Sequence, residues 1–309
     1  MTAPVLAPDL FPRVCPVCGT SAAREVAPAN VDFRKLDSFA FSSRKLPEYM
    51  HFRLVVCDTC DLLYSTPAPA QRAIEVAYDG AAFDAGEESR YAAVTYGRIL
   101  SRITAQLPDR SHALDIGTGD GAFLLELLEA GFQQVSGVEP SAAPIACADP
   151  RVRDRIRHAV FRPQDFEADS FSLVTCFQTM EHVFDPLQLC KDALRITRPG
   201  GAFFIVCHNR RALPNQLLGQ RSPIYDIEHL QLFSPRSARE LLLRAGFERV
   251  ELHPVVNRYP ASYWAKLVPL PAPLKEKLMR VLASTGLGRI PVPAPPGNLA
   301  AVAWRPLRA

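Results

Sequence analysis

No apolar run in the 309-residue chain reaches the length of roughly 18 residues that a membrane-spanning helix needs, so a helical span is not expected. The opening segment, MTAPVLAPDLFPRVC, lacks the basic n-region and the apolar h-region of a secretory leader. The chain is therefore expected to stay where it is made, in the cytoplasm. One-sided charge is also missing. The net charge is +3, and Lys and Arg are spread along the sequence, so the field that draws nucleic acid or an acidic membrane is not expected. The densest basic run, Arg151 to Arg157, holds four arginines and one aspartate and reads as a solvated face. No internal repeat occurs.

With 48% hydrophobic and 22% charged residues, the chain is long enough for one large α/β domain plus a small module, each with its own core. The module is marked by cysteine. Cys15 and Cys18 form one C-x-x-C knuckle and Cys57 and Cys60 a second, with 38 residues between them. Two such turns can aim four thiolates at one ion, the tetrahedral sulfur set that Zn²⁺ prefers, and four protein sulfurs leave no open position for chemistry. Gly19 supplies a residue able to take positive φ after the first knuckle. A structural zinc ribbon over residues 13–66 is the expectation, with Val31, Phe33 and Leu36, then Phe52, Leu54, Val55 and Val56, as its strands. The rival is four unligated or redox-active thiols. A reducing compartment suits either.

Residues 67–309 read as the large domain. A helical stretch runs from about Gln71 to Gln106 with a break near Asp79 to Gly86. From Ala113 the pattern becomes strand, glycine-rich turn, helix, strand. It continues with a strand near Ser172 to Cys176, a helix near Leu187 to Ile196 and a strand at Ala202 to Cys207. This alternation predicts a Rossmann-like, mostly parallel sheet flanked by helices. A helix from Pro235 to Ala245, closed by Gly246, is followed by strands at Arg249 to His253 and Leu299 to Trp304, expected to pair antiparallel at the sheet edge. Between them Pro254 to Gly297 is proline-rich, with one amphipathic helix around Leu274 to Ala283. It is too long for a hairpin loop and reads as a cap over the site or a homodimer surface.

The most informative string is Leu114-Asp115-Ile116-Gly117-Thr118-Gly119-Asp120-Gly121. Its glycines let the backbone turn tightly from strand to helix and approach a ligand. Glu139 lies 22 residues beyond Gly117, at the end of the next strand, where an acid can accept both hydroxyls of a ribose. Gly117-x-Gly119-x-x-Ala122 also satisfies the NAD fingerprint, so spacing leaves the cofactor open. Asp115 tips the balance: an acid this close would repel a pyrophosphate but tolerate a cationic cofactor with an amino-acid tail.

Taken in order, DIGTGDG, GVEP, FSLVTCFQTMEHV (Phe171 to Val183) and RPGG (Arg198 to Gly201) resemble the successive motifs of class I S-adenosylmethionine-dependent methyltransferases, over roughly Leu107 to Val250. The cysteine pairs followed by DLLYSTP (Asp61 to Pro67) resemble a bacterial subgroup with an N-terminal zinc ribbon, many of whose members act on sugars, lipids or natural-product intermediates. The resemblance implies that Asp115, Gly117, Thr118, Gly119 and Gly121 surround the methionine part of the cofactor, that Glu139 and Pro140 meet the ribose, and that Gln178 lies near the sulfonium. Asp165 is the candidate for the acidic residue near the adenine. Ser172 replaces the usual Asp of its motif. Gln178 to His182 is similar to the Glu-x-x-Glu-His string of ubiquinone-pathway O-methyltransferases, with Gln178 in place of the first acid.

Ligands of open α/β sheets bind beyond the carboxyl ends of the strands. Glu181-His182 and His208-Asn209 fall there, and Tyr225-Asp226-Ile227-Glu228-His229-Leu230 sits on a loop able to close over the same pocket. Methyl transfer is an in-line displacement in which the protein aligns the acceptor and takes its proton. His229 or His208 is expected as the base, with Glu181 and His182 shaping the pocket. The bland reading of each histidine is a helix cap or a backbone hydrogen bond; His51, His112, His158 and His253 are read as structural or exposed. The expected partner is a small-molecule acceptor, with no nucleic acid, because Val14 to Tyr64 lacks a basic-aromatic surface. Two rivals remain. One is an NAD-dependent oxidoreductase or epimerase, which lacks a Tyr-x-x-x-Lys dyad here. The other is a zinc-ribbon adaptor with a dead methyltransferase domain.

Overall fold

The computed structural model describes residues 9–35, 48–79, 83, 86–268, 270–295 and 297–307. Strands β1 (Ala23–Ala27), β2 (Leu54–Cys57) and β3 (Leu63–Ser65) accompany the cysteine knuckles, and helices α1 (Gln71–Asp79) and α2 (Gly86–Thr104) follow. The alternating segment then comprises β4 (His112–Ile116), α3 (Ala122–Glu129), β5 (Gln134–Glu139), β6 (Ile156–His158), β7 (Phe171–Phe177), α4 (Pro186–Ile196) and β8 (Thr197–His208). After it come α5 (Leu213–Leu218), β9 (Gln231–Leu232), α6 (Pro235–Ala245) and β10 (Arg249–Pro254). The last elements are β11 (Asn257–Pro260), α7 (Ala261–Leu267), α8 (Ala272–Thr285), β12 (Pro291–Ala294) and β13 (Asn298–Trp304).

Among the described residues the main sheet has seven strands in the order β10-β13-β8-β7-β4-β5-β6. From β8 to β6 every pairing is parallel, while β13 runs antiparallel to both β8 and β10. A parallel sheet covered on both faces needs strands that are apolar throughout. Leu173, Val174 and Cys176 of β7, and Ala202 to Cys207 of β8, are accordingly buried on both sides. The order reverses between β4 and β7, the crevice where ligands of such sheets bind. Helix ends are set by local chemistry. Asp185 caps α4 by accepting from the Gln188 N–H at 2.9 Å. Ser234 and Ser237 form a reciprocal capping box on α6, which Gly246 closes at φ +105°.

The cysteine module departs from its expectation in two ways. Residues Phe33–Lys35 form a 3₁₀ turn, not a strand, and β1 lies earlier, at Ala23–Ala27; Leu36 falls outside the described residues, as does most of the break between α1 and α2. Nor is the module's core its own. Its sheet has the order β9-β3-β2-β1, so its outer strand is supplied by the large domain, with Gln231 opposite Tyr64 and Leu232 opposite Leu63. Val17, Val55, Leu62 and Tyr64 belong to one continuous apolar cluster with Phe203, Phe233, Leu241 and Leu242. Charge fastens the same seam: Asp61 accepts from Arg210 and from Arg211, each at 2.6 Å. Burial opposes that carboxylate, but the two guanidinium groups outweigh it and hold Asp61 at about 2.

The proline-rich insertion is more ordered than one helix. Strands β11 and β12 pair antiparallel, and α7, α8 and the 3₁₀ turn Leu287–Arg289 pack on one another.

Candidate active site

A cavity of about 1370 Å³ lies at the carboxyl ends of β4, β5, β7 and β8, walled on its far side by α1, α2 and the 254–297 insertion. Its first wall is the glycine loop after β4. Gly117, at φ +73°, could not carry a side chain, because a Cβ there would run into Thr179. The Gly119 N–H donates to Glu139 Oε2 at 2.9 Å, and the Ser141 N–H donates to Oε1 at 2.9 Å. Two backbone donors thus lock the Glu139 carboxylate in the cavity wall, while burial raises its pKa above the usual carboxylate range. Asp115 is buried at the end of β4, accepting from Thr175 Oγ1 at 2.6 Å. Burial pushes its carboxyl up to about 6 against that hydrogen bond.

Gln178 follows β7 at φ +50°, and its amide oxygen and nitrogen are both buried without a hydrogen-bond partner. Buried amides are nearly always paired, so this one is set for a ligand. Thr118 and Pro140 also line the cavity. Two other candidates do not. Gly121 sits behind the loop at the start of α3, where a Cβ would meet Ile156 Cδ1 at 2.9 Å; its glycine serves helix packing. Asp165 lies in a 3₁₀ turn outside the cavity and pairs with Arg157 at 3.2 Å, whereas Val160 and Phe161 line the wall. The expectation for Asp165 is corrected accordingly: the segment after β6 reaches the cavity before the acid is encountered.

Three histidines also converge on the cavity. The ring centroid of His229 lies 4.9 Å from that of His182 and 4.9 Å from that of His208. His229 Nδ1 lies 2.8 Å from the Ile224 carbonyl, which can only accept, so that nitrogen carries the proton and Nε2 is the basic one in the neutral ring. His182 Nδ1 lies 3.0 Å from the Glu228 carbonyl and 2.6 Å from the Tyr78 hydroxyl. His208 Nδ1 lies 3.0 Å from Asn298 Oδ1. Glu181 is close by but lines nothing: it is fully buried behind the histidines, where its carboxylate accepts from the His208 N–H and its carbonyl accepts from the Leu230 N–H at 2.8 Å. Burial pushes it up to about 7. Its place is to tie the β7 loop to the His229 loop.

Several cavity residues escaped the sequence reading. Tyr78 lies on α1 four residues after the buried Ile74, a spacing that reads as an ordinary core stripe. Its burial holds the hydroxyl protonated, far above its ordinary value. Glu228 reaches within 3.8 Å of His229 Nε2. Asn257, at the start of the insertion, is 2% exposed, and its Oδ1 is buried without a partner against the cavity. Tyr259, Tyr263 and Trp264 form an aromatic cluster beside it, with centroids 4.3 to 5.7 Å apart. Glu228 stood in the string around His229 without a role of its own, whereas no motif pointed to Asn257, Tyr259, Tyr263 or Trp264, which reach the cavity because the insertion folds back.

Among the described residues, two groups of side chains lie close enough to gather around a cation. In one, Sγ of Cys15 is 3.4 Å from Sγ of Cys60, and Sγ of Cys18 is 3.4 Å from Sγ of Cys57. In the other, His182, Glu228 and His229 bring their donor atoms within 4.8 Å of one another.

Fold and cavity together define a doubly wound α/β protein with a ligand site at its switch point. A family model described as a methyltransferase domain matches residues 88–252, more than half of the chain, and the chain belongs to that family. It is 33% identical over 104 residues to the ubiquinone biosynthesis O-methyltransferase of Coxiella burnetii, covering 32% of this chain and 44% of that one. The same-named protein of Pseudomonas fluorescens is 31% identical over 103 residues, covering 31% and 44%. The match thus spans less than half the length of these relatives. Among solved structures, a SAM-dependent methyltransferase from Archaeoglobus fulgidus is 18% identical and covers 69% of this chain and 94% of its own, with a TM-score of 0.47.

Proposed function

We propose that this protein transfers a methyl group from S-adenosylmethionine to an oxygen or carbon of a small molecule, a sugar, lipid or natural-product intermediate. The observation that carries the reading is one cavity lined by buried acids, an unpartnered amide and three converging histidines. Asp115, Glu139 and Gln178 fit the cofactor: a buried carboxylate beside the loop suits a cationic ligand, Glu139 presents a backbone-locked acceptor to ribose hydroxyls, and the Gln178 amide has hydrogen bonds still to make. Gly117, Gly119, Thr118 and Pro140 shape the same wall.

The cofactor supplies an electrophilic methyl group on a sulfonium. The chain's own part is alignment and proton removal. His229 is the base of choice, because the Ile224 carbonyl fixes its tautomer and leaves Nε2 to take the acceptor's proton. His208 and His182 pack on either side of that ring, and Glu181 positions them from behind. The domain reading has residues 13–66 as the ribbon and 67–309 as the catalytic domain. The four cysteines fit a structural Zn²⁺ by donor type and mutual distance.

Calorimetric titration with S-adenosylhomocysteine tests the cofactor, with NAD⁺ as the control. Saturable binding weakened by Asp115→Asn and by Glu139→Ala is expected; preference for NAD⁺ would overturn the reading. His229→Ala should leave that affinity unchanged and lower turnover by roughly 10²- to 10⁴-fold.

A further inference from the structure

Charge summed over the whole chain hides where it lies. Residues 254–297 carry six basic side chains (Arg258, Lys266, Lys275, Lys277, Arg280 and Arg289) and one acidic, Glu276. Because the whole chain is only +3, the remainder is net negative and the insertion holds the positive pole. The same segment exposes an unusual share of large apolar side chains. Leu274 is 51% exposed and Val281 48%, and Leu287 and Ile290 in the following turn are each 50% exposed. On α8 the face turned inward is Lys275, Leu278, Met279 and Leu282; none of the helix's residues is fully buried. Leu274, Lys277 and Val281 recur along the outer side at helical spacing, with the exposed Arg280 beside them. The aromatic side chains that could anchor a protein partner, Tyr259, Tyr263 and Trp264, line the cavity instead.

We propose that the outer surface of α8 and the turn after it docks on an anionic lipid bilayer. Leu274, Val281, Leu287 and Ile290 enter the headgroup level, and Lys277, Arg280 and Arg289 meet lipid phosphates. Scattered aliphatics among basic residues on a convex helix are the combination that binds such an interface, where apolar burial and electrostatic attraction add. A second copy of the chain fits poorly, because a twofold contact would set one positive pole against another. Since α7 and α8 also wall the cavity, docking would bring the cavity alongside the membrane surface. This surface is independent of whether the cavity transfers methyl groups.

The test is co-sedimentation of the full-length protein with vesicles of phosphatidylcholine, with and without phosphatidylglycerol. Binding confined to the anionic vesicles and lost at high salt is expected. Lys277→Gln combined with Arg280→Gln should weaken partitioning onto the anionic vesicles by roughly twenty- to thirty-fold, and Leu274→Ser combined with Val281→Ser should weaken it on the same vesicles at low salt, each variant retaining native circular dichroism. No binding, equal binding to neutral vesicles, or binding indifferent to both variants would overturn the proposal. A dimer seen by sedimentation velocity and dissociated by the same variants would overturn it in favour of self-association.

Discussion

Asp115 makes stability depend on pH through one buried carboxyl. Its value rises from 3.8 to about 6 because burial disfavours the charge. Between those values the folded protein retains a proton that the unfolded chain has released. Stability of the ligand-free protein should therefore fall as pH rises from about 4 to about 6, by at most roughly 3 kcal/mol, and Asp115→Asn should flatten the slope. Urea unfolding across that range measures it; identical slopes in both proteins would remove Asp115 as the cause. Cofactor binding should run the other way, strengthening as pH rises through about 6, since a cation favours the carboxylate.

Gln231 matters through the strand it sits on. Its Nε2 donates to the Met180 carbonyl at 2.6 Å and the Val183 carbonyl at 2.8 Å, and its Oε1 accepts from Arg13 at 2.6 Å. On the backbone, the Ser65 N–H donates to the Leu230 carbonyl at 2.8 Å. Strand β9 is therefore held from the ribbon on one side and from the β7 loop on the other, two residues after His229. Gln231→Leu would take the donor from two buried carbonyls and one of the acceptors from Arg13, whose guanidinium keeps the Phe184 carbonyl at 2.9 Å, and should cost about 2 to 4 kcal/mol, read as a lower thermal midpoint. At the next element, Ser234→Ala removes the α6 cap and should cost about 1 kcal/mol. A midpoint unmoved by both substitutions would mean that this seam contributes little.

At the scale of the molecule, the ribbon and the catalytic sheet share one apolar cluster and one β-sheet. On the proposed reading of the four cysteines as a Zn²⁺ site, loss of the ion should then not be a local event. Chelation, or Cys57→Ser, is expected to lower a single cooperative unfolding transition and to weaken the ordering of the His229 loop. Calorimetry decides: a separate low-temperature transition, with the main one unmoved, would show the ribbon to be an independent unit.

Much was legible in order along the chain. The period of apolar residues marks β4, β7, α4 and α6 within a residue or two, and the end of β8 though not its start at Thr197, because buried parallel strands and capped helices leave local signatures in composition, proline and glycine. The glycine loop, Glu139 and each C-x-x-C pair stand out in the sequence for the same reason, a local pattern, whereas the meeting of the two cysteine pairs spans 38 intervening residues. Asp165, Glu181 and the residues of the insertion were not legible in this way. Whether an acid faces a cavity or an arginine, whether a tyrosine on a helix stripe meets core or a histidine, and whether a module owns its core depend on pairings across more than a hundred residues, such as Tyr64 with Gln231 and Tyr78 with His182. Local sequence set the elements; only packing decided which of them share a site.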